Sequence, residues 1–328
     1  MPLTNAHVDK CIECGFCEVN CLTCGFSLSS RQRIVIQREI SRLKKLSDTE
    51  SSERLKTLQK QYKYLGNATC AGDGLCSMSC PMGINVGDLT HDIRQANLPE
   101  KSIGYKTGDF VANHFAETKS ALRPVLYKVM SSIGQGLHQI GVPLWTPSMP
   151  KPYYPHRIQQ HEESLKVIYF PSCINQTMGT AKDSPDQTPL IDKTVALLQK
   201  AGYEVIFPEN MKNLCCGTIW ESKGMMDIAD RKSTELEAAL YKASNGGKYP
   251  VLCDQSPCLH RMRKVMTQIK LYEPVEFIYT FLKDKLVFSP IDEPIAVHIT
   301  CSMRKMNLGN MLVDLARLCS TKVIVPEE

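Results

Sequence analysis

Cysteine content constrains this chain more than any other feature of its sequence. Eight of its fifteen cysteines precede Pro81, and the next one is Cys173. So many cysteines indicate either a secreted disulfide framework or metal ligation. The chain opens MPLTNAHVDK, without a basic-then-apolar signal segment, and its 328 residues exceed the size of domains that need disulfides for stability. We therefore expect reduced, metal-binding cysteines in a cytoplasmic protein.

The first cysteine set has the spacing of bacterial ferredoxins. Cys11, Cys14, Cys17 and Cys21 follow the pattern Cys-x2-Cys-x2-Cys-x3-Cys. In that pattern the first three thiolates bind one cubane cluster, and the fourth reaches across to another cluster. The spacing therefore predicts a two-cluster iron–sulfur site whose remaining ligands come from elsewhere in the chain.

The second set supplies those ligands. Cys70, Cys76 and Cys80 follow the pattern Cys-x5-Cys-x3-Cys, and Asp73 stands where the ferredoxin register has a cysteine. Cross-ligation predicts four ligands for each of the two clusters: Cys11, Cys14, Cys17 and Cys80, then Cys21, Cys70, Asp73 and Cys76. An oxygen ligand binds such iron more weakly than a thiolate does. We therefore predict labile iron at the second cluster, as an Asp-ligated [4Fe-4S] or a [3Fe-4S] form.

Alternatives to these assignments stay open. Asp73 is also interpreted as an ordinary turn residue in the segment Ala-Gly-Asp-Gly, and Cys24 as a structural thiol or a substitute ligand. Close-set cysteine pairs also bind tetrahedral zinc. Two complementary sets at ferredoxin spacing, with Pro81 after the last cysteine, favour two [4Fe-4S]-type clusters over zinc.

Another group of cysteines occupies the C-terminal half. It comprises Cys173, the run Cys215–Cys216–Gly217, and Cys258. Adjacent cysteines both bind metal only in a multi-iron site or an unusual turn, and a glycine such as Gly217 permits that turn. We expect a further iron–sulfur site here, with four separate buried thiols as the alternative. Cys253 and Cys319 are expected to be packed thiols of the core.

Apolar periodicity predicts an α + α/β fold. Two stripes at helix spacing lie between the ferredoxin-type sets and predict a helical hairpin, with Ser47 and Asp48 at its turn. Strand and helix patterns alternate after residue 165, which indicates short parallel strands. We predict an all-helical ferredoxin-like domain at 1–120, a helix and proline-rich linker at 121–165, and a cysteine-rich α/β domain at 166–328.

An internal repeat subdivides the last domain. The run VIYFPSC ending at Cys173 resembles IAVHITC ending at Cys301, and VIFPEN resembles the final VIVPEE. A first repeat is expected at about 166–288. An incomplete second repeat is expected at about 295–328, because the sequence stops at Glu328 before a second Cys–Cys–Gly. Cys301 then opens an incomplete second site, and the chain is a fragment or a truncated product. Chance similarity of two β-rich runs is the alternative.

The motifs for nucleotide binding and hydrolytic catalysis are absent. There is no G-x-G-x-x-G after a strand, no P-loop and no pair of nucleophile and base. We therefore expect no catalytic residue and no FAD or NAD site in this chain. Electron transfer is expected, rather than oxidation of a substrate by the chain alone.

Charge and hydropathy limit the partners. The net charge of +5 is mild, and no nucleic-acid partner is expected. The basic excess in residues 31–63 is expected to be a solvated helix face, with docking to an acidic partner or an anionic membrane as the alternative. The apolar stripe in Val125–Trp145 is too interrupted to span a membrane and is expected to pack on its own domain.

These motifs resemble known iron–sulfur modules. The N-terminal region is similar to the helical ferredoxin domain of succinate dehydrogenase and heterodisulfide reductase subunits. The C-terminal region resembles the cysteine-rich (CCG) domain of heterodisulfide reductase and of the third subunit of anaerobic glycerol-3-phosphate dehydrogenase, whose pattern Cys…Cys–Cys–Gly…Cys-x2-Cys normally occurs twice. Gln255 stands where that pattern has a cysteine, and Cys301 matches the start of its second copy. Four residues match the first copy: Cys173, Cys215, Cys216 and Cys258.

The whole chain looks most like the C-terminal half of large FAD-linked D-lactate or D-2-hydroxy-acid dehydrogenases. The resemblance rests on these segments: KCIECGFCEVNC, LSSRQRIV, TCAGDGLCSMSCPMGIN, YFPSC, LCCG, DQSPC and TCSMRKM. It implies an FAD-containing domain or subunit that oxidises the hydroxy acid, and clusters that pass the electrons to a quinone or cytochrome. It also implies a cytoplasmic location, with at most peripheral association on the inner face of the membrane. A heterodisulfide-reductase-like catalytic subunit and a zinc-binding scaffold are the alternatives.

Overall fold

The computed structural model describes residues 5–124, 150–154, 156 and 163–326. The chain divides into two compact units, Met1–Lys106 with Ile219–Met226, and Thr107–Thr218 with Asp227–Glu328. The apolar stripe Val125–Trp145 and much of the proline-rich linker lie outside the described residues. The domain boundaries given by the sequence therefore stay predictions.

The N-terminal part is helical. Its α-helices are α1 (Ser30–Leu43), α2 (Thr49–Tyr62), α3 (Val86–Ala96), α4 (Ile103–Asn113) and α5 (Phe115–Pro124). A π-helical segment, Lys63–Ala68, continues α2, and single 3-10 turns lie at Phe16–Glu18 and Leu75–Ser77. One cysteine-bearing loop therefore precedes α1, and the other lies between α2 and α3.

Helices α1 and α2 form the predicted hairpin between the two cysteine sets. Ser29 caps α1 and forms a capping box with Gln32, while Asp48 caps α2 by accepting a hydrogen bond from the Ser51 amide at 2.8 Å. The predicted turn at Asp48 is confirmed. Because both N-caps satisfy amides that the helices leave unpaired, α1 and α2 each begin at a defined residue.

One apolar cluster supports both cysteine loops. It packs residues of α1 and α3 against the two cysteines at the centres of the 3-10 turns. Its buried members are Val8, Cys17, Ile34, Cys76, Ile84, Val86 and Leu89. The two loops are therefore positioned by a shared core.

A four-stranded parallel sheet forms the centre of the second unit. Its strands are β2 (Leu165–Phe170), β4 (Tyr203–Ile206), β5 (Val251–Cys253) and β6 (Leu271–Tyr272). They lie in the order β4-β2-β5-β6, and every neighbouring pair is parallel. Val167 and Ile168 point to opposite faces of the sheet and both are fully buried, as expected for a parallel sheet covered on both faces. The α + α/β fold is confirmed.

Helices and a small ribbon surround this sheet. The remaining helices are α6 (Leu190–Lys200), α7 (Thr218–Glu221), α8 (Met226–Ala243), α9 (Ser256–Val265), α10 (Pro274–Phe277), α11 (Cys301–Lys305) and α12 (Gly309–Cys319). A π-helical segment, Ile278–Leu282, continues α10, and 3-10 turns lie at Met211–Asn213 and Lys283–Lys285. The antiparallel ribbon pairs β1 (Pro150–Pro152) with β3 (Met178–Ala181).

The last two strands reproduce the pairing of the first two in the sheet. Strands β7 (Ile291–Ala296) and β8 (Ser320–Ile324) are parallel, with Ile295 opposite Val323. Val167 lies opposite Val205 in the β2–β4 pair. Both pairs match the repeat found in the sequence, because Val167 and Ile295 each stand six residues before the aligned cysteines. The same register in both copies favours a true repeat over chance similarity.

The expectation that Cys319 belongs to the core is wrong. It is the last residue of α12 and its side chain is exposed, although Leu315 one turn earlier is buried. The β7–β8 sheet has only two strands and does not cover the final turn of the helix. Within the described residues, no helix is both long enough and apolar enough to cross a bilayer.

Candidate metal centres

Four cysteines line one cavity of the first unit. Its lining contains the thiols of both cysteine sets together with Ile12, Pro81, Met82 and Ile84. The cysteines are Cys11, Cys14, Cys17 and Cys80. The structure thus brings together the residues predicted for the first cluster. Soft thiols against an apolar wall are the donor set that iron–sulfur clusters use.

A second cavity contains the other predicted group. Cys21, Cys70, Asp73 and Cys76 line it, so Cys21 lies with the second set of cysteines and Cys80 with the first. This is the exchange between loops that cross-ligation requires. The lining of the second cavity runs from Asn20 to Thr23, and the exposed Cys24 lies beyond it. The ligand roles themselves stay predictions.

The two loops share one local geometry. Gly15 and Gly74 adopt left-handed conformations, with φ of 88° and 73°, directly before the two 3-10 turns. Each turn has a buried cysteine at its centre, Cys17 in the first and Cys76 in the second. Only glycine adopts such φ values without strain, so these glycines allow each loop to fold back around its cavity.

Asp73 has two contacts relevant to its predicted roles. Its Oδ1 accepts a hydrogen bond from the Leu75 amide at 2.9 Å, which is the turn geometry expected of an ordinary loop aspartate. The same residue lines the second cavity, close enough to Cys76 for its charge to raise the pKa of that thiol. Both interpretations of Asp73 therefore remain compatible with its position.

The thiols differ in how readily they ionise. Burial raises the pKa of Cys76 to about 11. A hydrogen bond from the Val86 amide to its Sγ, at 3.4 Å, opposes this rise only in part. Burial likewise raises the pKa of Cys17. At Cys21 burial opposes ionisation, but hydrogen bonds from Thr23 and the nearby Arg33 outweigh it and lower the pKa. A bound metal deprotonates such thiols, so iron would hold these cysteines as thiolates despite their burial.

Sequence reasoning missed three arginines beside these cavities. The basic excess of residues 31–63 was expected to be solvated, yet Arg33 and Arg38 are 1% and 5% exposed. Arg38 pairs with Glu13 and donates to the Cys11 carbonyl at 2.9 Å. Arg94 donates to the Cys70 carbonyl at 2.8 Å. One sequence pattern could have indicated their burial. Arg33 and Arg38 stand at helix spacing among the apolar positions of α1 that are buried.

The C-terminal thiols form a connected group. Side-chain hydrogen bonds link Cys173 to Cys215, Cys215 to Cys216, and Cys216 to Cys258. Cys173 follows β2, the Cys215–Cys216 pair follows β4, and Cys258 lies in the first turn of α9 after β5. The carboxyl ends of parallel strands meet at one edge of a sheet, which is where α/β folds bind ligands. We call these four residues the thiol quartet; they lie together rather than as separate buried thiols.

A glycine turn holds the adjacent pair of the thiol quartet. Gly217 has a φ of 87°, and a Cβ there would overlap the carbonyl oxygen of Ala229 in α8. The Cys216 carbonyl accepts hydrogen bonds from Ser233 Oγ at 2.8 Å and Arg261 Nε at 3.0 Å. The turn expected at Gly217 is confirmed, and it is fixed by backbone contacts on both sides.

The thiol quartet favours ionisation of two of its sulfurs. Hydrogen bonds from Cys215 and Cys258, and from the Thr218 hydroxyl at 3.2 Å, lower the pKa of Cys216 well below its usual value, and a hydrogen bond from Cys215 lowers the pKa of Cys173. The pKa of Cys215 is raised by its bonds to Cys173 and Cys216, and that of Cys258 by its bond to Cys216, because these thiols act as donors. A thiolate supported by neighbouring thiols is a soft donor group suited to iron or another soft metal.

Other predicted positions are placed as follows. Cys253 is fully buried, with its Sγ 3.9 Å from the Gln255 carbonyl, which fits the expected packed thiol. Gln255 precedes α9 as its N-cap, and its side chain makes no capping hydrogen bond. Cys301 is half-buried and begins α11.

Among the described residues, no three His, Cys, Asp or Glu side chains are arranged to hold one metal ion. A cubane takes each thiolate on a different iron atom, so its ligands need not converge on one point.

The comparisons with known proteins agree with the N-terminal geometry. Residues 7–84 match the family model of a 4Fe-4S dicluster domain. No curated protein and no solved structure matches the chain significantly. The matched segment contains both cysteine sets, both cavities' cysteines and the hairpin between them. Residues 7–84 are therefore an iron–sulfur, ferredoxin-like region of the kind that transfers electrons.

Proposed function

We propose that this chain is the electron relay of an FAD-dependent D-2-hydroxy-acid dehydrogenase. The observation that carries the relay role is the pair of thiol-lined cavities, each with the ligand group that cross-ligation predicts. The D-lactate or other D-2-hydroxy-acid substrate is inherited from the resemblance of the cysteine segments. The chain itself then oxidises no substrate.

The residues of each cavity have distinct tasks in this relay. Bound clusters supply one-electron transfer without bond making or breaking. Cys11, Cys14, Cys17 and Cys80 would hold the first cluster, in a cavity whose lining also contains the apolar Ile84. Cys21, Cys70 and Cys76 hold the second cluster, with Asp73 as the fourth ligand or with that iron absent. Hydrogen bonds to the sulfur atoms adjust the potential of each cluster.

The thiol quartet is proposed as a further iron–sulfur site. Hydrogen bonds link its four thiols in a chain, and the pKa values of two of them, Cys173 and Cys216, are lowered toward the thiolate form. Gln255 supplies no thiolate where the resembling domain has a cysteine, so a cluster here has four cysteine ligands from the first repeat. Cys301 is the corresponding first ligand of the second repeat.

The partners are proposed from the resemblance to the dehydrogenases. A flavin domain or subunit is proposed as the electron donor, since it alone oxidises the hydroxy acid in the resembling dehydrogenases. A quinone or cytochrome is proposed as the acceptor. The proposed location is the cytoplasm, with peripheral attachment at the inner face of the membrane.

Anaerobic purification with iron supplied tests the relay. Iron and acid-labile sulfide should be present in cluster proportions, and dithionite should produce low-temperature EPR signals of reduced clusters. Adding the flavoprotein partner and D-lactate should then produce the same signals. A colourless protein that contains zinc but no sulfide would contradict the proposal, and clusters that stay oxidised with flavoprotein and D-lactate would remove the dehydrogenase role.

A further inference from the structure

Charge is compensated at the first cavity. Arg38, which donates to the Cys11 carbonyl, is paired with Glu13. Arg31 lines the same cavity, and its Nε lies 3.3 Å from a carboxylate oxygen of Glu18. Arg31 and Arg38, beside the first cavity, therefore each have their own carboxylate, and the pairs add little net charge to the site.

Charge at the second cavity is not compensated in this way. Arg33 is 1% exposed and donates to the Gly66 carbonyl at 2.7 Å and to the hydroxyls of Thr23 and Thr69 at 3.0 Å. Its Nη1 lies 3.7 Å from Cys21 Sγ. All its other partners are neutral oxygens. Among the described residues, Arg33 makes no ion pair.

Arg94 adds a second cation to this side. Its Nη2 donates to the carbonyls of Asn67 and Cys70, at 2.7 and 2.8 Å, and no carboxylate pairs with it in the described part of the chain. Asp73 is the carboxylate in the lining. Two cations therefore face one carboxylate.

Two helix N-termini reinforce this imbalance. The first residue of α1, Ser30, and the first two of α3, Val86 and Gly87, all line the second cavity. The Val86 amide donates to Cys76 Sγ at 3.4 Å. Unpaired amides at a helix N-terminus carry a partial positive charge. The second cavity thus combines two helix termini with two arginines.

We propose that the cluster bound by Cys21, Cys70 and Cys76 has the higher reduction potential of the two, and that Arg33 is the main residue that sets it. Reduction adds one negative charge to a cluster, and a buried cation beside its sulfur atoms stabilises that charge. One electron then passes from the cluster of the first cavity to that of the second, so the first is oxidised and the second reduced. A reduced flavin replenishes the first. This inference rests on the proposed relay function.

An EPR-monitored redox titration of Arg33→Gln tests the role of Arg33. The midpoint potential of the second cluster should fall, so that its reduced-to-oxidised ratio at a fixed potential drops about tenfold, which corresponds to about 59 mV for one electron. Arg33→Lys should keep most of the wild-type potential because it keeps the charge. Arg42→Gln is the matched control: Arg42 lies on the same helix but is exposed and paired with Glu39, so neither cluster should shift.

The order of reduction in the wild-type protein gives a second test that needs no Arg33 variant. Cys76→Ser should abolish the EPR signal of the second cluster alone and so identifies that signal in the wild-type spectrum. That cluster should be the first to be reduced as the potential is lowered. The inference is overturned if the first-cavity cluster is reduced first, or if fully loaded Arg33→Gln titrates as wild type. Absence of iron and sulfide from the wild-type protein contradicts the relay function instead.

Discussion

The ferredoxin-like region and the thiol quartet gather cysteines in opposite ways. In the first, ligand candidates lie two to five residues apart, and glycine turns at Gly15 and Gly74 fold each short loop around its own cavity. In the thiol quartet, the cysteines come from the ends of three parallel strands. Local spacing is therefore sufficient for the first arrangement, whereas the second depends on the sheet being formed.

The largest expected difference concerns loss of a cluster. Cys76→Ser should abolish the EPR signal of the second cluster and lower the iron content, because a buried thiolate is lost at the centre of the loop. The thiol quartet should keep its metal, since none of its cysteines belongs to that loop. Cys24→Ser is the control: this cysteine is exposed, and its replacement should leave both signals intact. Loss of iron in Cys24→Ser would make Cys24 a ligand.

A substitution at Gly217 tests how strongly the thiol quartet, unlike the cysteine loops, depends on packing between distant segments. Gly217→Ala places a Cβ against the Ala229 carbonyl and within 3.0 Å of Arg261 Nε, at a φ that alanine rarely adopts. We expect a loss of about 3 kcal/mol in the free energy of unfolding, measured by urea denaturation, from strain and overpacking together.

Gly202→Ala is the matched control for that change. Gly202 also has a positive φ, of 79°, but a Cβ there meets nothing within 4 Å. Its substitution should cost about 1 kcal/mol, from the backbone conformation alone. Equal losses in the two variants would show that the packing around Gly217 does not hold the Cys215–Cys216 turn.

A smaller effect, on the rate of iron loss, is expected when a cysteine replaces Asp73 in the second cysteine set. Asp73→Cys should slow removal of iron by a chelator, because thiolate binds this iron more strongly than carboxylate. The rate of bleaching in the presence of the chelator measures it. An unchanged rate would remove Asp73 from the ligands and leave only its hydrogen bond to the Leu75 amide.

The smallest expected effect is a pH dependence in the second unit. Glu273 accepts hydrogen bonds from the Val275 amide and from Ser256, which begins α9 two residues before Cys258. Burial raises the pKa of Glu273 in the folded state. The unfolded chain therefore releases this proton at lower pH than the folded one, so stability should fall as pH rises from the ordinary glutamate value through the raised one.

Glu273→Gln tests that contribution. The variant keeps a side chain of the same shape and cannot ionise. Its free energy of unfolding should therefore fall less steeply than that of wild type as pH rises across that window. Urea unfolding between about pH 4 and pH 7 measures the difference. A parallel pH dependence in wild type and variant would assign the effect to other groups.

Much of the fold could be predicted from local patterns. The hairpin α1–α2, the cap at Asp48 and the strands around Val167 and Val205 appear where apolar periodicity and capping residues predicted them. These features depend on neighbours within a few residues, so a single sequence reveals them. Cys319 shows the limit, because its helical stripe was real but nothing covers the last turn of α12.

The sequence by itself determined which cysteines form the two ferredoxin-type groups, because their spacing dictates how a loop can wrap a cluster. Only the tertiary structure decided where the charges around them lie. Arg33 and Arg38 look like residues of a solvated helix face in sequence, and packing of α1 against the cysteine loops buries both. Whether a cation is paired, as Arg38 is, or surrounded by neutral oxygens, as Arg33 is, depends on contacts between distant segments.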